Sequence, residues 1–338
     1  MVAQSDLNYR VVDVLRHPGH LPAIQQLLAD SGLEMDNRIS CFVEACDGER
    51  VVGCAGLADD VVKCVAIDAR LRGNNICAGL LAEVEKVAAD RGDFHLFLCT
   101  RPAGSERFQR CGFWPIVRSA EVVLMENTPQ GIQRYCRKLR QQCRAGKRIA
   151  SIVMNANPFT LGHRWLVEQA ASHSDWLHIF VVHEDASRFA FRDRLKMVQA
   201  GLADLSKITV HEGSPYILSR ATFPSYFLKE THHVTQAWCD IDLLIFRDYI
   251  APALGITHRF IGSEPFCDVT RQYNQAMHRL LEPAMQVVEI KRKCHQGQAI
   301  SASEVRRLLQ QHNFSRLREL VPGTTLTWLQ QHERTGSL

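Results

Sequence analysis

At 338 residues, 46% hydrophobic and 22% charged, the chain reads as globular and long enough for two domains. A formal net charge of +4 is too mild to call for nucleic acid, and no DNA- or RNA-binding signature accompanies it; a slight basic excess suits small anionic ligands. Residues 1–10 lack the apolar core of a signal peptide, no run of about 18 apolar residues exists to span a membrane, and the 12 cysteines form no C-x-x-C pair, so we expect a cytoplasmic protein with reduced thiols.

Residues 1–128 have a pattern of their own. Leu21 to Ala29 carries helical spacing, and 39–45 and 50–58 read as strands joined at Cys46-Asp47-Gly48-Glu49, a hairpin turn. A third strand follows at 61–67. Asp68 to Ala78, with Arg72-Gly73 inside it, leads into a helical run over 79–90. Then come a strand at 94–100, the element Arg107 to Phe113 and a last strand at 121–125. Residues 129–148 form a joint, in which Arg134 to Arg148 holds seven basic residues and no acidic one. We read it as a solvated linker helix, although a basic helix can also meet phosphates or an acidic partner.

From 149 to 338 strands and helices alternate. Ile149 to Met154 is a short apolar run of the buried-strand type, 155–162 supplies turn residues broken by Pro158, and an amphipathic helix follows from Arg164 to about His173. Further strand-like runs lie at 176–183, 208–211, 243–246, 258–262 and 287–290, with helices between them and at the C-terminal end. This order predicts a doubly wound parallel sheet that binds its ligand beyond the carboxyl ends of the strands. A strand, a tight glycine-containing turn and a helix start carrying His163 make a natural phosphate cradle, because free N–H groups and the helix dipole both favour an anion there. Asn155 and Asn157 flank it, though Asn before Pro is also ordinary turn chemistry. Gly262-Ser263-Glu264 ends another strand, and Ser301 to Arg306 opens a late helix with two hydroxyls, free amides and a guanidinium. The first also fits a plain turn and the second a plain N-cap. His232, His233 and Cys239 have no ligand spacing, and no metal site is expected.

Residues 1–128 resemble the GNAT acetyltransferase fold, through the strand hairpin, the Arg72-Gly73 turn before a long helix and the late Phe108 to Phe113 element. In that family an R-G-x-G-x-G/A loop wraps the pyrophosphate of acetyl-CoA. Here Asn75 and Cys77 stand at its second and third small positions. We therefore read the fold as kept, the acetyltransferase chemistry as open, and Arg72 and Gly73 as a remnant of a CoA loop.

Thr160-Leu161-Gly162-His163 resembles the T/H-x-G-H signature of the nucleotidyltransferase superfamily, and Ile300 to Arg306 its I-S-x-S-x-x-R partner; together the pair grips ATP. The longer string Asn155 to His163, with Phe189 to Arg194, Ala221 to Phe227 and Ile261 to Asn274, is similar to the citrate lyase ligase family over nearly the whole chain. The fold class this implies is α/β, an N-terminal GNAT-like domain followed by a Rossmann-like nucleotidyltransferase domain. The implied reaction is attack by acetate on the α-phosphorus of ATP, with Mg²⁺ bridging the phosphates. Acetyl adenylate then passes its acetyl group to the thiol of a phosphoribosyl-dephospho-CoA group on the citrate lyase acyl carrier subunit, releasing AMP. His163 and Thr160 take the catalytic roles in this assignment, and Asn155, Asn157, Pro158, Phe159, Gly162, Gly262, Glu264, Ser301, Ser303 and Arg306 bind ATP. Two alternatives stand beside it: an adenylyltransferase of the pantetheine-phosphate or nicotinamide-nucleotide type, and an acetyl-CoA-sensing regulatory module.

Overall fold

The computed structural model describes residues 7–71, 75–183, 187–217, 231–264, 268–282 and 284–334, without the side chains of 231–235, 269 and 334. They divide into two compact units, one holding 7–134 with 231–237 and the other 135–217 with the remainder.

The first unit is built on a seven-stranded sheet. Its strands are β1 (Asn8–Asp13), β2 (Cys41–Asp47), β3 (Arg50–Ala58), β4 (Val61–Ile67), β5 (Phe97–Thr100), β6 (Trp114–Arg118) and β7 (Val123–Glu126), in the order β1-β2-β3-β4-β5-β7-β6. All neighbours are antiparallel except β4 and β5, which pair in parallel at Val61↔Phe97 and Val62↔Leu98. Alternation along β2 sends Phe42 to one face and Cys41, Val43 and Ala45 to the other, as a period of two requires. Helix α1 (Leu21–Asp30) buries Ile24, Leu27 and Leu28 on the first face, and α2 (Ile76–Asp90) buries Leu80, Leu81 and Val84 on the second. A short α3 (Ser105–Arg110) precedes β6. Where a solvated linker helix was expected, α4 (Gly131–Arg140) buries Ile132, Cys136 and Leu139 along one face, and the exposed stretch from 141 to 148 is not helical.

The second unit carries a five-stranded, wholly parallel sheet. Its strands are β8 (Ile149–Met154), β9 (Trp176–Val181), β10 (Ile208–His211), β11 (His258–Gly262) and β12 (Gln286–Ile290). Between and after them in the chain lie α5 (Leu161–Ser172), α6 (Phe191–Gly201), α7 (Thr231–Ile245, in this unit from Trp238 onward), α8 (Ala251–Leu254), α9 (Asp268–Leu281), α10 (Ala302–Gln310), α11 (Phe314–Leu317) and α12 (Gly323–Arg334); β13 (Cys294–His295) and β14 (Gln298–Ala299) make a small hairpin before α10. One face of the sheet, with Ala150, Ile152, Leu177, Ile179 and Phe260, packs on apolar residues of α5, α6, α10, α11 and α12. On the other face Phe180 meets Phe246 edge-on, and the Arg259 guanidinium lies over the same ring. Strands buried on both sides read as continuous apolar runs, as β8 does.

One expectation is corrected. Leu243 to Phe246 is helical rather than a strand: α7 runs to Ile245 and continues through a π-helical turn, Phe246–Ile250, into α8. Leu243, Ile245 and Phe246 are all buried, so the helix shows an apolar run with no exposed side to mark its period.

The strand order β10-β9-β8-β11-β12 fixes where a ligand belongs. The chain begins at β8 in the middle, winds outward through β9 and β10, then returns to the opposite side at β11. The direction of winding reverses between β8 and β11, and such a switch point leaves a crevice beyond the carboxyl ends of the two strands. The loops after Met154 and Gly262 both open there.

Candidate functional site

Helix α5 starts at Thr160, whose backbone is extended and whose side chain caps the helix. The His163 N–H donates to Thr160 Oγ1 (3.3 Å), and the Thr160 N–H donates to His163 Nδ1 (3.1 Å), a reciprocal box that uses two amides a helix start otherwise leaves open. The Leu161 N–H goes to Leu320 O (2.9 Å), and the Gly162 N–H is the one these bonds leave over. Because Nδ1 accepts a backbone N–H, the imidazole proton sits on Nε2, the nitrogen turned away from the helix start. Burial, with the charge of Arg292 adding to it, holds the His163 pKa down at about 4, so the ring is neutral near pH 7. Phe159 is fully buried, stacks on His163 with ring centroids 5.8 Å apart, and fills the space over Gly201, where a Cβ would come within 2.6 Å of it.

The second helix start lies against the first. Ser301 caps α10 by accepting the Glu304 N–H (3.1 Å). A Cβ added at Gly162 would stand 3.2 Å from Ile300 O, the carbonyl just before that cap. A side chain at this position would need the Ile300 carbonyl to give way by a few tenths of an ångström, so glycine suits the close approach. Arg306, on the first turns of α10, donates to Asn157 O (2.6 Å) and Ser303 Oγ (3.0 Å), which ties α10 to the loop after β8. Arg188 Nη1 donates to Arg306 O (3.4 Å), so two guanidinium groups share this side of the cradle, and burial with the Arg188 charge lowers the pKa of Arg306.

The loop between β8 and α5 is held from below. Arg194 is fully buried and donates to Asn155 O (2.8 Å), Asn155 Oδ1 (2.7 Å), Val182 O (3.0 Å) and Phe189 O (3.0 Å). Asn155 also donates to Ser187 Oγ (3.2 Å), and Asn157 Oδ1 accepts the Phe189 N–H (3.2 Å). The peptide bond between Asn157 and Pro158 is cis. Both asparagines thus shape the loop through protein contacts, while Pro158 and Phe159 face the core.

On the far side, β11 ends at Gly262, where an added Cβ would meet nothing within 4 Å. Glu264 pairs with Arg292, which follows β12, and Arg292 Nε donates to Ser263 O (2.6 Å). Trp165 Nε1 on α5 donates to Lys291 O (3.2 Å), which brings the chain around Arg292 alongside the His163 turn. Thr160, Gly162, His163, Ser301, Ser303 and Arg306 therefore come together, with Asn155 and Asn157 beneath them and Gly262 and Glu264 at the neighbouring strand end. Arg72 and Gly73 lie outside the described residues, as do Ala221 to Phe227. Among the described residues no group of three His, Cys, Asp or Glu is arranged to hold a metal ion, and no helix is long and apolar enough to cross a membrane.

Two helix starts, a neutral Nε2–H donor and three guanidinium groups at a sheet switch point are the chemistry that can hold an anion. Comparison with known proteins gives the family. A model of the acetyltransferase (GNAT) family matches residues 11–113, and a model of the citrate lyase ligase C-terminal domain matches residues 149–329. The crystal structure of Escherichia coli ElaA covers 36% of this chain with 99% of its own, at 14% identity and a TM-score of 0.33. A citrate (pro-3S)-lyase ligase of Klebsiella pneumoniae is 46% identical over 326 residues, 95% of this chain and 95% of that protein. The chain belongs to the citrate lyase ligase family. Relatives of the same name from Escherichia coli (strain K12) and Haemophilus influenzae are 45% and 47% identical, each over 92% of this chain. Every residue of the cradle described above falls inside the span matched by the citrate lyase ligase C-terminal domain.

Three residues at the site escaped the sequence reading. Arg194 and Arg188 sit in or beside the Phe189 to Arg194 string, where nothing local distinguishes them from solvated arginines. Arg292 belongs to a Lys-Arg-Lys run at a strand's carboxyl end. That placement was the available signal.

Proposed function

We propose that this citrate lyase ligase family member activates acetate with ATP and passes the acetyl group to the thiol prosthetic group of the citrate lyase acyl carrier subunit. The observation that carries this reading is the meeting of the α5 and α10 helix starts, Gly162 against Ile300 O, with His163 and Arg306 on the same rim. A carboxylate nucleophile needs no general base, so the demands on the protein are alignment and stabilisation of charge. His163 Nε2–H and the Gly162 N–H would donate to the α-phosphate as the acetate oxygen attacks it. Ser303 and Arg306 would hold the leaving pyrophosphate. The residues suit a triphosphate because they are cations and donors, and a Mg²⁺ would be carried by phosphate oxygens and water. The thiol sulfur would then give up its proton to solvent and attack the carbonyl carbon of acetyl adenylate, the bond from that carbon to the phosphate oxygen would break, and AMP would leave. Residues 1–128 would form a GNAT-like domain, 129–148 a basic linker and 149–338 the ATP-binding domain.

The test is product analysis of the full chain with ATP, acetate and deacetylated citrate lyase. AMP and pyrophosphate in equal amounts, with lyase activity restored, are expected. ADP in place of AMP, or AMP formation that ignores acetate, would reject the reading.

A further inference from the structure

Arg292 is tied down in a way a solvated arginine is not. Its Nε donates to Ser263 O (2.6 Å), its Nη2 meets the Glu264 carboxylate, and its backbone N–H reaches Ser263 Oγ (3.4 Å). The Glu264 side chain is 6% exposed and that of Arg292 26%, so the carboxylate is withdrawn from water while part of the Arg292 side chain stays exposed. Two contacts fix where the chain around Arg292 lies. Trp165 Nε1 on α5 donates to Lys291 O (3.2 Å), and Ile300 N–H donates to Lys293 O (3.0 Å), so both neighbours of Arg292 in the chain are bonded to the two helix starts of the cradle. Arg306 and Arg188 occupy the other side, by the loop after β8.

We propose that Arg292 is a further phosphate-binding arm of this site, set across the cradle from Arg306, and that Glu264 acts through Arg292 as its positioning residue. This rests on the reading of the site as an ATP site and reassigns Glu264 within it. A carboxylate beside a polyphosphate repels it unless a cation stands between them, and Arg292 stands there. The fork held by Ser263 O and Glu264 fixes the plane of the guanidinium, leaving its remaining N–H groups to meet phosphate oxygens without a search through rotamers.

Calorimetric titration of the full chain with ATP in the absence of acetate, and with adenosine, tests this. Arg292→Met should weaken ATP binding roughly ten- to a hundredfold and leave adenosine binding unchanged, as loss of one charge-assisted contact to phosphate requires. Glu264→Gln should weaken ATP less, and in the Arg292→Met background it should have no further effect. Unchanged ATP affinity in Arg292→Met, or an equal loss for adenosine, would overturn the phosphate arm even if the wild type forms AMP from acetate. Additive losses in the double variant would overturn the role given to Glu264. If the wild type itself binds no ATP, the ligase reading falls first. Should Arg292→Met melt too low to titrate, Arg292→Gln, which can still donate to Ser263 O or Glu264, carries the same outcomes.

Discussion

His163 is held neutral from two directions. The Thr160 N–H occupies Nδ1, and burial beside Arg292 lowers the pKa from 6.5 to about 4. A base whose folded pKa is depressed stays unprotonated above that value, so the Nε2–H donor persists across pH 5–8. His163→Ala should cut AMP formation by about 10²-fold, the scale of one lost donor at developing charge, and by a similar factor at pH 5.5 and pH 7.5. An acid limb near pH 6.5 in the wild-type kcat/KM that vanishes in the variant would show that the imidazole titrates normally and that this account is wrong. Thr160 and His163 were legible in the sequence as parts of one motif because they lie three residues apart on one helix turn. Arg292 was not, since β12 and the His163 turn become neighbours only once the sheet has formed.

Helix starts are the elements that make the cradle, and their spacing depends on Gly162. Replacing glycine by alanine in a helix ordinarily gains about 1 kcal/mol. At Gly162 the new Cβ would press on Ile300 O at 3.2 Å, a backbone atom that cannot swing aside. Gly162→Ala should therefore lose stability and ATP affinity together, whereas Gly323→Ala, where a Cβ at the start of α12 meets nothing within 4 Å, should be neutral or stabilising. Equal melting behaviour of the two variants would show that the approach of α5 to α10 is not constrained. The loop beneath depends on Arg194, and Arg194→Met leaves the carbonyls of Asn155, Val182 and Phe189 without the donor that the fully buried guanidinium supplies. A cost of about 2–4 kcal/mol in chemical denaturation is expected, against near-neutrality if water replaces the guanidinium. Strands buried on both faces, such as β8 and β11, stood out in the sequence. The two edges of the seven-stranded sheet, β1 and β6, were not foreseen, because edge strands are half exposed and one contains Pro115.

At the scale of the molecule, two folds legible from their strand and helix order share one chain, and the proposed chemistry is assigned to the second because its switch point gathers the donors. That same sheet carries an acid liability away from the cradle. His178 on β9 and His211 on β10 are buried, their Nδ1 and Nε2 atoms 2.9 Å apart, with Phe180 stacked on the His211 ring. Burial, then the Arg144 charge, lowers the His178 pKa to about 4; burial, then His178, lowers that of His211 to about 3. The unfolded chain takes up these protons near pH 6.5 and the folded chain does not. Stability is therefore complete above pH 6.5 and drains away as pH falls toward 4, by roughly 2 kcal/mol for each imidazole between pH 7 and pH 5. His211→Gln keeps a hydrogen-bonding group beside His178 and removes one titration. Its melting temperature should fall less between pH 7 and pH 5 than that of the wild type. Parallel slopes for the two proteins would show that the acid sensitivity lies elsewhere, in carboxylates protonated on unfolding rather than in this pair.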